Sequence, residues 1–205
     1  MTSSLRPALL WFAVLGGMNA AIAQETPLAQ PAAFVQHAVD DVLSVVFPEA
    51  VDHSADLHLS DRVLPVLTRH LDFAALTRRA IGPAWSRFSR DEQQRATTAF
   101  SVLIVRSYAT RLDGRQRPEI SYEPAILLSA GRWEIPSKVS VAGTPYRIGY
   151  RVERSSDAWR IYDIVVEGVS LVANYRAQLG AIFQKGGAAA VLQALERQVT
   201  PPAGD

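Results

Sequence analysis

Four histidines are the side chains of this sequence best suited to bind a metal ion. They are His37, His53, His58 and His70, and the 205 residues include no cysteine. His53 and His58 are the nearest pair, but a step of five residues does not place two side chains on one face of a helix. No His-Glu-x-x-His motif is present. The sequence therefore predicts solvated or helix-capping histidines, with no metal site and no cofactor.

Nucleophilic catalysis and phosphate binding also lack their motifs. Gly168-Val169-Ser170 begins like a nucleophile elbow but has no second glycine after the serine. Gly186-Gly187 is not followed by the lysine and hydroxyl residue of a phosphate-binding loop. Ser170 is better interpreted as the N-cap residue of a helix. These motifs provide no catalytic residue.

Acid–base chemistry is the one reaction type for which suitable residues are present. An aspartate base and a tyrosine oxyanion donor act together in ketosteroid-isomerase-like folds, and Asp163 could serve as the base. Its neighbour Tyr162 points to the opposite face of a strand, so Tyr108 or Tyr150 would have to be the donor. A buried aspartate is also often a hydrogen-bonded part of the structure. An isomerase-like enzyme acting on a small molecule is thus one alternative function.

The segment that contains Asp163 changes from strand to helix within a few residues. Residues 159–167 are rich in β-branched and aromatic side chains, with apolar residues at both odd and even positions, which predicts a strand covered on both faces. Gly168 ends the strand and Ser170 begins a helix. Helical spacing follows, with apolar side chains at Leu171, Tyr175, Leu179 and Ile182. An apolar partner must lie between this strand and this helix.

The same segment resembles a known family. Residues 159–178, Trp-Arg-Ile-Tyr-Asp-Ile-Val-Val-Glu-Gly-Val-Ser-Leu-Val-Ala-Asn-Tyr-Arg-Ala-Gln, are similar to the signature of the MlaC family, periplasmic phospholipid-binding proteins also called toluene-tolerance proteins. Asp72-Phe73 followed by Gly82 and Trp85 matches a second family segment. The resemblance covers nearly the whole chain after its N-terminal segment. It implies a curved, cone-like sheet with a helical subdomain.

The N-terminal segment has the pattern of a secretory signal peptide. Arg6 precedes an apolar run over residues 8–17 and the Ala-x-Ala site at residues 21–23. We expect a signal peptide at 1–23, a flexible leader at 24–31 and a single MlaC-like lipid-binding domain at 32–200. Removal of the signal peptide would leave 20 basic and 20 acidic residues, a balance that argues against nucleic acid as a partner. A soluble, exported monomer is the expectation.

Helices come first in the predicted fold, strands follow, and helices return at the end. A capping box at Ser89 and Glu92 begins the longest predicted helix, which runs to about Asp113. Short turns separate four strand-like segments, which predicts an antiparallel meander. This order predicts the α+β class, with a four-stranded twisted antiparallel sheet packed with several helices. The resemblance implies that the sheet is a cystatin-like cone and that some of the helices form a helical subdomain. The strand-like segments are 119–128, 133–141, 146–153 and 159–167.

The resemblance implies an apolar slot between the sheet and the helices that begin near Ser89 and Leu171. Apolar stripes are also what a solid core shows, so a periplasmic interaction module without a cavity is a second alternative. Arg147, Arg151 and Arg176 are candidate neighbours of a lipid headgroup. The predicted lipid-binding residues are Trp85, Phe100, Ile104, Tyr108, Val139, Val141, Ile148, Tyr150, Ile164, Val166, Val169 and Tyr175.

The function implied by the resemblance is lipid transport without catalysis. The carrier would move a phospholipid between the outer and inner membranes and so maintain lipid asymmetry. Its implied partners are an inner-membrane ABC transporter complex and an outer-membrane lipoprotein complex. A hopanoid or another amphiphilic lipid is the alternative cargo.

Overall fold

The computed structural model of the protein describes four ranges of the chain, interrupted by short gaps. The predicted signal peptide at 1–23 and residues 24–28 of the predicted leader lie outside the described residues, and so does the side chain of Tyr108. Within the described part, no helix is long and apolar enough to cross a membrane. The described ranges are 29–48, 58–112, 116–155 and 158–199, without the side chains of residues 29 and 108–112.

Two of the helices begin at side chains that cap their first turn. The Asp72 carboxylate accepts a hydrogen bond of 2.8 Å from the Ala75 backbone N–H, which caps the helix that begins at Phe73. The predicted capping box is confirmed, since the Glu92 N–H donates to Ser89 Oγ at 3.3 Å and the Ser89 N–H donates to Glu92 Oε2 at 2.8 Å. The helices are α1 (Ala29–Val46), α2 (Leu59–His70), α3 (Phe73–Ile81), a 3-10 helix (Gly82–Arg87), α4 (Arg90–Leu112) and α5 (Leu171–Val199).

The strands form one antiparallel sheet, so the predicted α+β class is confirmed, but among the described residues the sheet has six strands where four were predicted. Predicted strand 119–128 is split, because Pro124 has no N–H to donate to a neighbouring strand. Its two halves pair with opposite ends of the same long strand, and a two-residue strand follows the fifth. The strands are β1 (Glu119–Tyr122), β2 (Ile126–Ser129), β3 (Arg132–Val141), β4 (Thr144–Ser155), β5 (Ala158–Val166) and β6 (Val169–Ser170).

The sheet has the order β1-β3-β4-β5-β6, with β2 also paired to β3. Ala142 and Gly143 connect β3 to β4 with φ of 49° and 81°, the left-handed conformation that a tight hairpin turn requires. An extra residue at Tyr162 forms a bulge, because Arg151 pairs with Asp163 whereas Val152 pairs with Ile161. The bulge changes which residues face each side, so apolar residues at both odd and even positions of β5 can point to one face.

The helices cover the face of the sheet that we call the inner face, defined by Ile135, Ile148, Tyr150 and Ile164. α1 and α2 pack against each other and against the strands, while α3, α4 and α5 pack together. Phe100, Ile135, Val152 and Val191 are fully buried in the resulting core.

α5 changes direction at a pair of glycines. Gly186 and Gly187 have non-helical backbone angles, with φ of −153° and 64°, and divide the helix in two. The first half begins at the predicted N-cap, where the Ala173 N–H donates to Ser170 Oγ at 3.0 Å. The second half buries Val191, Leu192 and Leu195.

Candidate functional site

A cavity of about 250 Å³ lies between the inner face of the sheet and helices α1 and α2. α4 and the first residue of α5 complete its wall. His70 and Tyr150 are the polar side chains of its lining, and all the other lining residues are apolar. The lining consists of Ala38, Val39, Val42, Leu43, Val46, Val63, Leu67, His70, Leu71, Ile104, Val105, Pro118, Ile120, Val139, Ile148, Tyr150, Ile161, Ile164, Val166 and Leu171.

Local sequence patterns produce this wall. On α1 the lining residues Ala38, Val42 and Val46 recur every four positions and therefore share one face of the helix. On β4, Ile148 and Tyr150 are two residues apart and point to the same side of the sheet. On β5 the bulge at Tyr162 lets Ile161 and Ile164 line the same cavity despite their odd separation.

Tyr150 contributes a neutral hydroxyl group to the wall. Its side chain is buried, and this burial raises the pKa of Tyr150 to about 12, because the phenolate is poorly solvated there. The neighbouring Ser137 is buried too, and its Oγ donates to the Ile148 carbonyl at 3.0 Å. At neutral pH this part of the wall therefore carries no charge.

His70 joins the cavity wall to α1. It is buried, and its Nε2 lies 2.7 Å from Asp41 Oδ2. His37 Nε2 and Arg69 Nη2 lie 3.7 and 3.8 Å from the same oxygen. The hydrogen bond from His70 is the main reason that the pKa of Asp41 is lowered, and burial of Asp41 opposes it.

The prediction that the histidines are solvated or helix-capping is wrong for His70. Hydrophobic periodicity in α2 does not reveal the partner that makes burial of an imidazole tolerable, because Asp41 lies on another helix. His58 precedes α2 but makes no side-chain cap hydrogen bond, and His53 lies outside the described residues. In the described part of the chain, no group of three or more histidine or acidic side chains is arranged to hold a metal ion.

The predicted lipid-binding residues divide into two sets. One set lines the cavity: Ile104, Val139, Ile148, Tyr150, Ile164 and Val166. The other set does not border the cavity, and the side chain of Tyr108 lies outside the described residues. Contact of either set with a lipid stays a prediction.

Trp85, Phe100 and Tyr175 belong to aromatic pairs that do not border the cavity. Trp85 stacks on Phe88 with ring centroids 5.9 Å apart, and Phe100 meets Tyr175 edge-on at 4.9 Å. Val141 is half-buried near the β3–β4 turn, and Val169 is 60% exposed on β6. Apolar spacing does not distinguish a packed core from a cavity wall, and at Val169 it does not reveal an exposed side chain.

Two of the three candidate headgroup arginines have other partners. Arg151 Nε donates to Glu134 Oε2 at 2.8 Å and its Nη1 lies 3.2 Å from Asp163 Oδ2. Arg176 Nε donates to the Arg79 carbonyl at 2.7 Å. Arg147 is exposed, and its backbone bonds to Glu167 hold the turn between β5 and β6.

Asp163 has a structural role in capping α5. Its Oδ1 accepts from the N–H groups of Ile164 and Val172 at 2.9 and 3.1 Å. Its Oδ2 accepts from Ser170 Oγ at 2.6 Å and from Arg151. Asp163 is 4% exposed and does not border the cavity. Tyr150 does border the cavity. Asp163 and Tyr150 therefore do not meet at one site, and the side chain of Tyr108, the other candidate donor, lies outside the described residues.

Sequence reasoning missed the part of the cavity that α1 and α2 provide. The apolar stripe of α1 was the available signal, but nothing local shows that this stripe faces β3 and β5 rather than α4 or α5. The lining residues that were not predicted are Ala38, Val39, Val42, Leu43, Val46, Val63, Leu67, His70, Leu71, Val105, Pro118, Ile120, Ile161 and Leu171.

The fold and the cavity define an α+β domain that encloses an apolar cavity between an antiparallel sheet and helices. The family model described as MlaC protein matches residues 36–197, so the chain belongs to the MlaC family. Among solved structures, the chain is similar to a phospholipid-binding protein from Ralstonia solanacearum determined in complex with a phospholipid. The two are 28% identical with a TM-score of 0.74, and the match covers 82% of this chain and 96% of that chain. No curated protein is similar enough to count as a match.

Proposed function

We propose that this protein is a periplasmic carrier that binds a phospholipid in its cavity and moves it between the outer and inner membranes. The observation that carries the proposal is the cavity itself, whose lining is apolar apart from His70 and Tyr150. Membership of the MlaC family supports it, as does the similarity to the Ralstonia solanacearum protein solved with a phospholipid.

The physical need for such a cavity comes from the acyl chains. Burial of one methylene group is worth about 0.8 kcal/mol, so two ordinary acyl chains cost on the order of 20 kcal/mol to expose to water. A wall of valine, leucine and isoleucine side chains avoids that cost, because it shields the acyl chains from water, and it needs no catalytic step. The charged headgroup would stay near solvent, because an unpaired phosphodiester is expensive to bury.

The size of the cavity indicates that binding changes the protein. Small-molecule sites have volumes of about 300–1,000 Å³, and this cavity of about 250 Å³ is smaller than a site for two acyl chains. α1 and α2 form one wall and the sheet forms the other. We infer that uptake of a phospholipid separates α1 and α2 from the inner face.

The proposed carrier needs partners at both membranes. An inner-membrane ABC transporter complex and an outer-membrane lipoprotein complex would exchange lipid with it, and the transporter would supply energy for uphill movement. The carrier itself would act as a monomer and maintain lipid asymmetry. A hopanoid in place of the phospholipid is the alternative cargo, since an apolar wall would accept a polycyclic lipid as well.

Binding without catalysis agrees with the positions of the polar groups. The carboxylate of Asp163 is already occupied by four hydrogen bonds. Tyr150 lines the cavity beside Ser137, and among the described lining residues His70 alone has an acidic or basic side chain. Asp41 already binds the Nε2 of that histidine. Family membership likewise favours a binding protein over an enzyme.

Native mass spectrometry of the mature protein, purified from its own periplasm, tests the proposal. We expect a mass increment that corresponds to one lipid, and solvent extraction should then identify a glycerophospholipid. A hopanoid in the extract would establish the alternative cargo. A bare protein mass that persists after incubation with phospholipid vesicles would contradict the carrier function.

A further inference from the structure

The hydroxyl group of Tyr122 is buried and has no hydrogen-bond partner in the described part of the chain. The ring packs against the apolar core, and the side chain as a whole is half-buried. A buried tyrosine hydroxyl normally finds a partner, because an unsatisfied polar group destabilises the fold. A carrier could use such a donor if a bound molecule provides the acceptor.

The strand register places Tyr122 on the cavity side of the sheet. Tyr122 on β1 lies opposite Ser137 on β3, which in turn lies opposite Ile148 on β4. Directly opposed residues of antiparallel strands point to the same face, and Ile148 lines the cavity. Ile120, two residues before Tyr122 and therefore on the same face, lines the cavity as well.

The neighbours of Tyr122 keep its hydroxyl group protonated. Burial raises the pKa of Tyr122 above its ordinary value, and the nearby Tyr150 and the Asp40 carboxylate raise it further. Asp40 lies on α1, the helix that lines the cavity opposite the sheet. At neutral pH the hydroxyl group of Tyr122 is thus an unused donor on the cavity side of the sheet.

We propose that Tyr122 donates a hydrogen bond to an ester carbonyl oxygen of the bound lipid. The inference rests on the proposed carrier function and adds a chemical preference to it. An ester carbonyl is uncharged, so it is less costly to bury than a phosphate. The negative charge of Asp40 would repel a phosphate oxygen but not a neutral acceptor.

Competition between two lipids that differ at the ester tests this inference. The delipidated full mature protein is incubated with vesicles of equal amounts of dipalmitoylphosphatidylcholine and its ether-linked dihexadecyl analogue, which lacks both carbonyls. The bound lipids are then extracted and quantified by mass spectrometry. We expect the wild type to prefer the ester lipid about fivefold, the effect of one net hydrogen bond.

Variants assign that preference to one hydroxyl group. Tyr122→Phe should bind both lipids equally, with ether-lipid uptake at the wild-type level, because only the hydroxyl group is removed. Tyr146→Phe, which alters a 41% exposed tyrosine, should retain the wild-type preference. Tyr122→Phe should also melt no lower than the wild type when lipid-free, since the lost hydroxyl group has no protein partner.

The possible failures are distinguishable. Equal uptake of the two lipids by the wild type, or an unchanged preference in Tyr122→Phe, would refute the role of Tyr122 and leave the carrier function standing. Uptake of neither lipid by the wild type would refute the carrier function and the inference together. The wild-type measurement alone can therefore overturn the proposal, even if the variant were to fold poorly.

Discussion

The role of Asp163 can be assigned only when its neighbours in the structure are known. Its type and its place in a buried strand are compatible with a general base. In the structure its two oxygens accept four hydrogen bonds, from β4, β5, β6 and the start of α5. A carboxylate held in this way stabilises the N-terminus of a helix, where a negative charge is favourable. Its role is therefore to fix the point at which α5 leaves the sheet.

Ile148→Trp tests the cavity at the residue scale. Ile148 is half-buried in the cavity wall, so a larger side chain fills space that a lipid would occupy. Overpacking of this kind costs about 1–3 kcal/mol, and lipid occupancy should fall at least about fivefold. Extraction of lipid from the purified variant gives the occupancy, and circular dichroism checks the fold.

The matched control for that variant is Ile126→Trp. Ile126 is 50% exposed on β2 and does not border the cavity, so the same substitution there should leave occupancy at the wild-type level. Equal occupancy in Ile148→Trp and the wild type would contradict lipid binding in this cavity.

At the scale of an element, the bend of α5 depends on one glycine. Gly187 has φ of 64° and ψ of −157°, a conformation that residues with a side chain rarely adopt. Gly187→Ala should therefore lower the free energy of unfolding by about 1–3 kcal/mol, as measured by urea denaturation.

Gly180 provides the opposite case within the same helix. A Cβ atom at Gly180 would meet no atom within 4 Å. Gly180→Ala should raise the free energy of unfolding by up to about 1 kcal/mol, because alanine is the better helix former. If Gly187→Ala and Gly180→Ala changed the free energy of unfolding by the same amount, the backbone conformation of Gly187 would not explain the destabilisation by Gly187→Ala.

The contact between α1 and α2 should respond to pH through Asp41. Its folded-state pKa is lowered, chiefly by the hydrogen bond from His70, so the ionised carboxylate stabilises the folded state above the ordinary aspartate pKa of about 3.9. That contribution is lost as the pH falls through the lowered value. We expect Asp41→Asn to be less stable than the wild type at pH 6 and to approach it at pH 3.

Urea midpoints of the two proteins across this range measure the effect. The basic side chains that face Asp41 are His37 on α1 and Arg69 and His70 on α2, and none of them is changed in the variant. A stability difference that stays constant from pH 6 to pH 3 would mean that the Asp41 carboxylate does not cause it.

At the scale of the whole molecule, lipid binding should have a spatial pattern. Because α1 and α2 form the wall opposite the sheet, a bound lipid should slow backbone hydrogen exchange in α1 and α2 relative to the lipid-free protein. α3 contributes no lining residue and should change little. Hydrogen-exchange mass spectrometry of the lipid-bound and lipid-free protein provides the comparison. If lipid slowed exchange in α1 and α3 by the same factor, the proposed opening would be contradicted.

Local signals in the sequence were sufficient for most elements of the fold. Ser89 and Ser170 were predicted as helix caps, and each accepts the expected backbone hydrogen bond. Capping depends on residues three positions apart, so it can be inferred without knowledge of the rest of the chain. The division of the first predicted strand into β1 and β2 was missed, although Pro124 was a local signal for it.

The sequence by itself therefore determined the α+β class, the order of the elements and, through a long contiguous signature, the family. Only the tertiary structure decided which apolar stripes enclose a cavity and which form solid core. Phe100 and Ile104 lie on the same helix four residues apart, yet Phe100 packs on Tyr175 while Ile104 borders the cavity. The physical reason is that periodicity reports only which side of an element avoids water. Whether that side meets another side chain or an open space depends on elements distant in sequence.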